Sequence, residues 1–158
     1  MGKAEFSDCL KFRYWLERDL EVKSEKTLLV IGLNPSTADA ENNDPTIRRC
    51  IRFATEWGYG RLWVANIFAF RSTDPKGLLG IKDPVGADND KWIKKLNLKA
   101  DLTLVAWGNN GMLNGRYKDV LKYVKDPHCL GQTKLSHPRH PLYVKAIQKP
   151  LLYRGADS

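Results

Sequence analysis

The sequence has few cysteines and no long apolar run, and each absence excludes a class of protein. Its three cysteines, Cys9, Cys50 and Cys129, are far apart and show no C-x-x-C spacing. That pattern indicates buried thiols and argues against a zinc site or an iron–sulfur cluster. No apolar segment approaches the roughly 20 residues of a membrane span, and the N-terminus lacks the hydrophobic core of a signal peptide. We therefore expect a cytoplasmic protein that uses no metal and no cofactor and does not bind a membrane.

Internal repeats, low-complexity tracts and linkers are also missing, so residues 1–158 are expected to form a single domain and a monomer. A chain of 158 residues with 42% hydrophobic and 28% charged residues can bury a substantial core without disulfide bonds. The charge is unbalanced, because 26 Lys and Arg residues oppose 18 Asp and Glu residues and give a net charge of +8. This excess favours acidic partners, of which DNA and nucleotides are the expected class.

The strongest structural signal is an apolar run over residues 27–33, which ends abruptly at Asn34. Its β-branched residues and short length predict a strand buried on both faces. Asp44 and Pro45 then begin a helix, and a second apolar run over residues 62–70 predicts a crossover between parallel strands. Further strands are expected at 102–107 and 128–131, helices near 88–98 and 117–124, and an N-terminal edge strand or hairpin within the alternating residues 9–20.

The predicted sheet would bring polar residues from distant parts of the chain together. Each strand ends in polar or Gly-containing residues, and the carboxyl ends of parallel strands share one edge of the sheet. The residues expected at that edge are Asn34, Asn66 with Arg71, Trp107 with Asn109, and His137. The Gly- and Pro-containing connection over residues 71–86 has the length of a functional loop. The sequence therefore predicts a ligand site at the carboxyl edge.

The motifs at these strand ends resemble those of the uracil-DNA glycosylase superfamily. Gly32-Leu33-Asn34-Pro35-Ser36 is similar to its first motif, and Val64-Ala65-Asn66-Ile67, followed by Arg71, to a strand and loop of its thermostable branch. Ser136-His137-Pro138 is similar to the His-Pro-Ser motif that closes the same site. The resemblance implies a single-domain three-layer α/β sandwich with a central four-stranded parallel sheet, and an activity that cleaves a nucleobase N-glycosidic bond in DNA or in a modified nucleotide.

The resemblance also implies roles for individual residues. Asn34 would position a water molecule, and His137 would donate a hydrogen bond to the departing base. Because Asn34 stands where the most active branches have Asp, and an amide cannot accept a proton, a glycosylase of this sequence would be slow or would depend on stabilising the leaving base. Asn66 would bind the amide edge of a uracil-like base, on which Phe68 or Trp107 would stack. The residues implied for substrate binding are Gly32, Leu33, Pro35, Ser36, Asn66, Phe68, Arg71, Trp107 and Asn109, and those for nucleic-acid binding are Lys76, Arg139 and His140.

Over almost its whole length the chain also resembles a family of small bacterial and phage proteins of uncharacterised function. The shared motifs are Leu-Asn-Pro-Ser-Thr-Ala-Asp at 33–39, Asp-Pro-Thr-Ile-Arg-Arg-Cys at 44–50 and Gly-x-Thr-Lys-x-x-His-Pro-Arg-His-Pro at 131–141. This second resemblance implies no activity. Two functions therefore stay open: an enzyme that acts on a nucleobase, and a non-catalytic protein that binds nucleotides or nucleic acid in the same pocket.

Overall fold

The computed structural model describes residues 2–155, so Met1 and residues 156–158 of the predicted domain lie outside the described residues. Within that range, one β-sheet carries helices on both faces. Its strands are β1 Gly2–Phe6, β2 Arg13–Asp19, β3 Thr27–Gly32, β4 Arg61–Asn66, β5 Leu102–Val105, β6 His128–Cys129 and β7 Leu151–Leu152. The α-helices are α1 Pro45–Glu56, α2 Asn89–Lys99 and α3 Arg116–Leu121, and short 3₁₀ segments lie at Pro75–Leu78, Asn109–Gly115 and Pro141–Tyr143.

The strand order across the sheet is β1-β2-β4-β3-β5-β6-β7. The pairs β4–β3, β3–β5 and β5–β6 are parallel, whereas β1–β2, β2–β4 and β6–β7 are antiparallel. The predicted α/β class is therefore confirmed, in a seven-stranded mixed sheet that is larger than expected. Of the two forms considered for the N-terminus, the structure has the hairpin, which β1 and β2 form.

Strand β3 lies at the centre of the sheet and is buried on both faces, as its apolar run predicts. Successive side chains of a strand point to opposite faces of the sheet. Leu28 and Val30 therefore pack with α1, whereas Leu29 and Ile31 face the core on the side of α2 and α3. Every residue from Thr27 to Ile31 is buried. Strand β3 therefore lies between the two cores, and its carboxyl end is fixed by packing on both sides.

Helix α1 follows β3 and begins where the sequence predicts. The Asp44 carboxylate accepts a hydrogen bond from the backbone N–H of Ile47 at 2.9 Å, and Pro45 occupies the first turn. The buried face of the helix consists of Ile47, Cys50, Phe53 and Ala54. Since α1 connects two parallel neighbours, β3 and β4, its N-terminus lies beside the carboxyl end of the sheet.

The second predicted strand, 62–70, is too long by four residues, because β4 ends at Asn66. The N–H groups of Ile67 and Phe68 still donate to the carbonyls of the β3 segment, but the carbonyls of Asn66 and Ile67 accept from the Asn89 side chain, and the Ala69 N–H donates to the Val85 carbonyl. Residues 67–69 are buried, as the residues of a central strand are. Their apolar sequence therefore looks like the continuation of the strand. Periodicity reports burial and does not identify the hydrogen-bond partner.

Two predictions from the sequence need correction, one for the cysteines and one for Arg13 of β2. Cys50 and Cys129 are buried as expected, but Cys9 is exposed, because it lies in the turn of the N-terminal hairpin. Arg13, one of the alternating residues 9–20 that were expected to form an edge strand or hairpin, is only 2% exposed. The segment that follows β3 lies against it, since Arg13 Nη1 donates a hydrogen bond to the Ala38 carbonyl at 3.0 Å.

No helix among residues 2–155 has the length and apolarity needed to cross a membrane. The same residues contain no group of three or more His, Cys, Asp or Glu side chains placed to hold a metal ion.

Candidate functional site

A cleft of about 810 Å³ opens at the carboxyl end of β3 and β5. Its walls come from the segments that follow these strands, from the first turn of α1, from residues 72–75 and from parts of 133–143. The cleft is large enough for a ligand of nucleotide size, and it lies at the edge where polar residues were expected to converge. The loops around it therefore determine what it can bind.

Asn34 lies in the cleft wall and is held in one orientation. Its Nδ2 donates to the backbone carbonyl of Ser72 at 2.8 Å and to that of Pro35 at 3.2 Å. Both contacts need the amide NH₂, so they determine which end of the side chain is nitrogen. The Oδ1 atom accepts no hydrogen bond within the described residues and is available to a water molecule or a ligand N–H.

His140 lies in the same cleft. Its Nδ1 accepts a hydrogen bond from the backbone N–H of Leu142 at 3.2 Å, and its ring contacts that of Tyr143 with 5.4 Å between centroids. Burial lowers the pKa of His140, although the nearby Asp44 carboxylate opposes the shift. The ring is therefore neutral near pH 7, and because Nδ1 is an acceptor, the proton resides on Nε2. Asn34 thus supplies an acceptor and His140 a donor.

His137 is placed differently. It does not line the cleft, and it is 5% exposed, with its ring edge-on to Tyr117 at 4.8 Å between centroids. Its backbone pairs with Thr133, whose N–H donates to the His137 carbonyl at 2.8 Å. Burial lowers the pKa of His137 as well. The structure therefore places His137 directly behind the cleft wall that contains Thr133, and Asn34 and His137 do not meet across the cleft.

The other predicted site residues fall into three groups. The cleft is lined by Leu33, Ser36, Trp107, Asn109 and Arg139. A small cavity of about 40 Å³ beneath it is lined by Gly32, Pro35 and Asn66, and also by Leu33, Asn34, Ser36 and His140. Away from both, Phe68 is buried in the core beneath β4, and Arg71 and Lys76 lie in neighbouring grooves.

The two neighbouring grooves share lining residues with the cleft. Arg71 stacks on the Phe6 ring at 4.9 Å, in a groove that shares Ser36 and Ser72 with the cleft. Lys76 lies in a groove on another side, which shares Asn109 with the cleft. Both cations are therefore close enough to meet parts of a ligand that extends beyond the cleft.

Several cleft residues were not predicted. Asp44 was expected only to cap α1, yet its side chain lines both the cleft and the small cavity. Thr133 and Lys134 lie in the wall, and the Thr133 hydroxyl donates to Asn109 Oδ1 at 2.6 Å. These two belong to the same 131–141 motif as His140, so the motif contained a signal for them. Lys134 and Arg139 make the 133–143 side of the cleft positive, opposite Asp44.

A sheet with parallel central strands, helices on both faces and a cleft at the carboxyl edge defines an α/β protein, a class in which ligands commonly bind at that edge. Within that class, residues 13–142 match the family model described as "Protein of unknown function (DUF1643)", so the chain belongs to that family. Comparison with curated proteins gives no match. Comparison with solved structures also gives none. The predicted membership of a family of uncharacterised function is confirmed, while the resemblance to uracil-DNA glycosylases stays a prediction.

Proposed function

We propose that the cleft binds a nucleotide, free or within DNA, and that the protein is a uracil-DNA glycosylase-like enzyme that hydrolyses its N-glycosidic bond. The observation that carries this proposal is the pairing of Asn34 and His140 in one cleft, where one offers an oriented acceptor and the other a neutral N–H donor. The parallel arrangement of the central strands and the helices on both faces support it at the level of fold.

In the proposed reaction, Asn34 acts on the sugar side of the breaking bond and His140 on the base side. Cleavage develops positive charge on the sugar and negative charge on the departing base. Asn34 Oδ1 accepts a hydrogen bond from the attacking water and orients it toward the sugar carbon. His140 Nε2–H donates to an oxygen of the base as negative charge develops there. In this proposal His140 takes the role that the resemblance assigned to His137, which supports the wall from behind.

The remaining groups of the cleft are suited to binding. Trp107 lines the cleft but is only 1% exposed, so it offers a base much less surface than the stacking expected from the sequence would need. Lys134 and Arg139 at the rim would contact phosphate, and Arg71 and Lys76 in the neighbouring grooves would follow a nucleic-acid backbone on either side. These cations account for part of the net charge of +8.

The test is a gel assay with single- and double-stranded DNA that contains uracil, in parallel with free deoxyuridine monophosphate. The parent protein should produce alkali-labile sites in DNA or free uracil from the nucleotide. Asn34→Ala should lower that rate by about 100-fold or more, since it removes a group that orients the nucleophile. Asn110→Ala is the matched control, because Asn110 lines the cleft but makes no side-chain hydrogen bond among residues 2–155. Equal rates in both variants would reject the proposed role of Asn34.

One observation favours a second function, that of a non-catalytic binder. Asp44 is the only acidic side chain among the described cleft residues, and both of its oxygens accept hydrogen bonds from backbone N–H groups, of Ile47 and Ala38. The cleft therefore has no free carboxylate to take a proton from water. Tight binding of uracil-containing DNA or nucleotide by the parent, without any cleavage product, would establish the binder and reject the enzyme.

A further inference from the structure

Three arginines are buried in this protein, and their hydrogen bonding differs. Arg116 donates to the Asp90 carboxylate at 2.8 Å and to the Ile67 carbonyl at 2.7 Å. Arg18 donates to Asn43 Oδ1 and to three backbone carbonyls. Arg13 makes one side-chain hydrogen bond, from Nη1 to the Ala38 carbonyl at 3.0 Å, and its buried Nε has no partner within the described residues.

Arg13 also lacks a direct counter-ion. No carboxylate oxygen of residues 2–155 lies within 4.0 Å of its guanidinium, although Asp44 is near enough to favour the charged form. Burial lowers the pKa of Arg13 to about 10, so the side chain is still charged at neutral pH. A buried charge with so few partners is unfavourable, because buried charges in proteins are usually paired and fully hydrogen-bonded.

The small cavity beneath the cleft is lined in part by Arg13. Arg13 and Asn66 both line the cavity, and Asn66 is 4% exposed with a buried Nδ2 that donates no hydrogen bond within the described residues. The cavity and the cleft share Asn34, Asp44 and His140, so the smaller space is a continuation of the larger one. Two unused N–H donors, one of them cationic, therefore belong to side chains at the floor of the site.

The donor set determines what the floor can accept. Nε–H of a guanidinium and Nδ2–H of an amide both require an acceptor, and the positive charge favours an oxygen that is negatively charged. A volume of about 40 Å³ admits only a few oxygen atoms, since one water needs roughly 10–15 Å³ on this scale. An internal phosphodiester continues in two directions and cannot end in such a space, whereas a terminal group can.

We propose that Arg13 and Asn66 form a buried oxyanion subsite at the floor of the cleft, which binds a terminal phosphate or carboxylate of the ligand. The subsite itself needs no cleavage reaction. That the bound ligand is a nucleotide rests on the proposed function. If it is, the subsite selects a free nucleoside monophosphate over a nucleotide within a DNA strand. Arg13 is then the group that binds the anion, and Asn66 is its neutral partner.

The first experiment measures the binding of inorganic phosphate to the full chain by calorimetry and by thermal melting. At a phosphate concentration about 100-fold above the dissociation constant, the melting temperature should rise by about 5–10 °C. Arg13→Met should weaken phosphate binding by about 10- to 100-fold, because a charge-assisted hydrogen bond is lost. Arg52→Met, which removes an exposed cation of α1 outside the cleft and the small cavity, should change it by less than about threefold. Absence of phosphate binding in the parent, or equal weakening in Arg52→Met and Arg13→Met, would overturn the proposal.

A second variant keeps the test decisive if Arg13→Met does not fold. Asn66→Asp adds a carboxylate to the same cavity as Arg13 and should act as a built-in anion. We expect it to raise the melting temperature in phosphate-free buffer and to abolish the response to phosphate. If phosphate binds elsewhere and Arg13 is only structural, the added buried carboxylate lowers the melting temperature and the variant keeps the phosphate response of the parent.

Further ligands identify the source of the oxyanion. Acetate in place of phosphate tests the carboxylate alternative, and deoxyuridine monophosphate compared with deoxyuridine tests the nucleotide. An Arg13-dependent preference for the monophosphate of about 10-fold or more supports the nucleotide form of the proposal. Cleavage of uracil-containing DNA together with Arg13-independent phosphate binding rejects the subsite but not the proposed function. Arg13-dependent binding without any cleavage retains the subsite and rejects the enzyme.

Discussion

The wall of the cleft and the layer directly behind it contain similar side chains with different partners. Asn34 and His140 lie in the wall, and each uses one end of its side chain for a backbone contact and leaves the other end free. Asn66 and His137 lie deeper and are almost fully buried, with Asn66 Nδ2 and His137 Nδ1 lacking partners within the described residues. Residue type alone therefore does not separate a ligand-contacting group from a supporting one. Depth and hydrogen-bond partners do.

The largest effect is expected when alanine replaces His140, compared with the same replacement at His137. His140→Ala should lower the rate of base release by about 100-fold, because it removes the proposed donor to the leaving base. His137→Ala should change the rate by less than about fivefold, while lowering the free energy of unfolding by about 1–3 kcal/mol through lost packing against Tyr117. Rates are measured on the same uracil substrates at saturating protein. A larger rate loss in His137→Ala would return the leaving-group role to His137.

A change at Gly32 should test how tightly the deeper layer is packed. A Cβ at Gly32 would lie 2.8 Å from Asn66 Oδ1, which is closer than such atoms approach. Since Asn66 is enclosed, Gly32→Ala should lower the free energy of unfolding by about 1–2 kcal/mol. Urea denaturation measures it, and Gly80→Ala is the control, because a Cβ there meets nothing within 4 Å. Equal stability of the two variants would mean that Asn66 is mobile, contrary to a rigid floor.

The smallest effect is expected from pH. Burial lowers the pKa of both His137 and His140 in the folded chain. Below the ordinary histidine pKa of about 6.5 the unfolded chain binds protons that the folded chain does not. The free energy of unfolding should therefore decrease as the pH falls from about 6.5 to the lowered values, and this contribution should be constant below them.

Denaturation curves between pH 8 and pH 5 measure this decrease. His137→Gln and His140→Gln should each make it shallower, because each removes a histidine whose pKa burial lowers. A decrease as steep in His140→Gln as in the parent would show that the wall histidine is protonated as easily in the folded chain as in the unfolded one. The neutral N–H donor of the proposed mechanism would then be wrong.

Local patterns predicted much of the fold. The apolar run before Asn34 corresponds to β3, and the Asp44–Pro45 pair corresponds to the start of α1, because a buried strand and a helix cap each depend on a few neighbouring residues. The end of β4 and the burial of Arg13 could not be predicted in this way. Both depend on residues distant in the chain: the Asn89 side chain binds the carbonyls of Asn66 and Ile67, and the segment that contains Ala38 lies against Arg13.

The candidate site divides in the same manner. The order of motifs placed Asn34, Asn66 with Arg71, Trp107 with Asn109, and His137 at one edge of a sheet. Of these, Asn34, Trp107 and Asn109 line the cleft. The sequence could not distinguish His137 from His140, which are three residues apart in one motif. Nor could it show that Arg13, from the N-terminal hairpin, lies beneath Asn34.

By itself, the sequence determined the α/β class, the family and the edge of the sheet where polar groups gather, since these follow from periodicity, motif order and the geometry of parallel strands. Only the tertiary structure decided which polar side chains face the cleft, which support it and which buried donors have no partner. The physical reason is that hydrogen-bond satisfaction and burial depend on contacts between residues distant in sequence, and no local pattern records them.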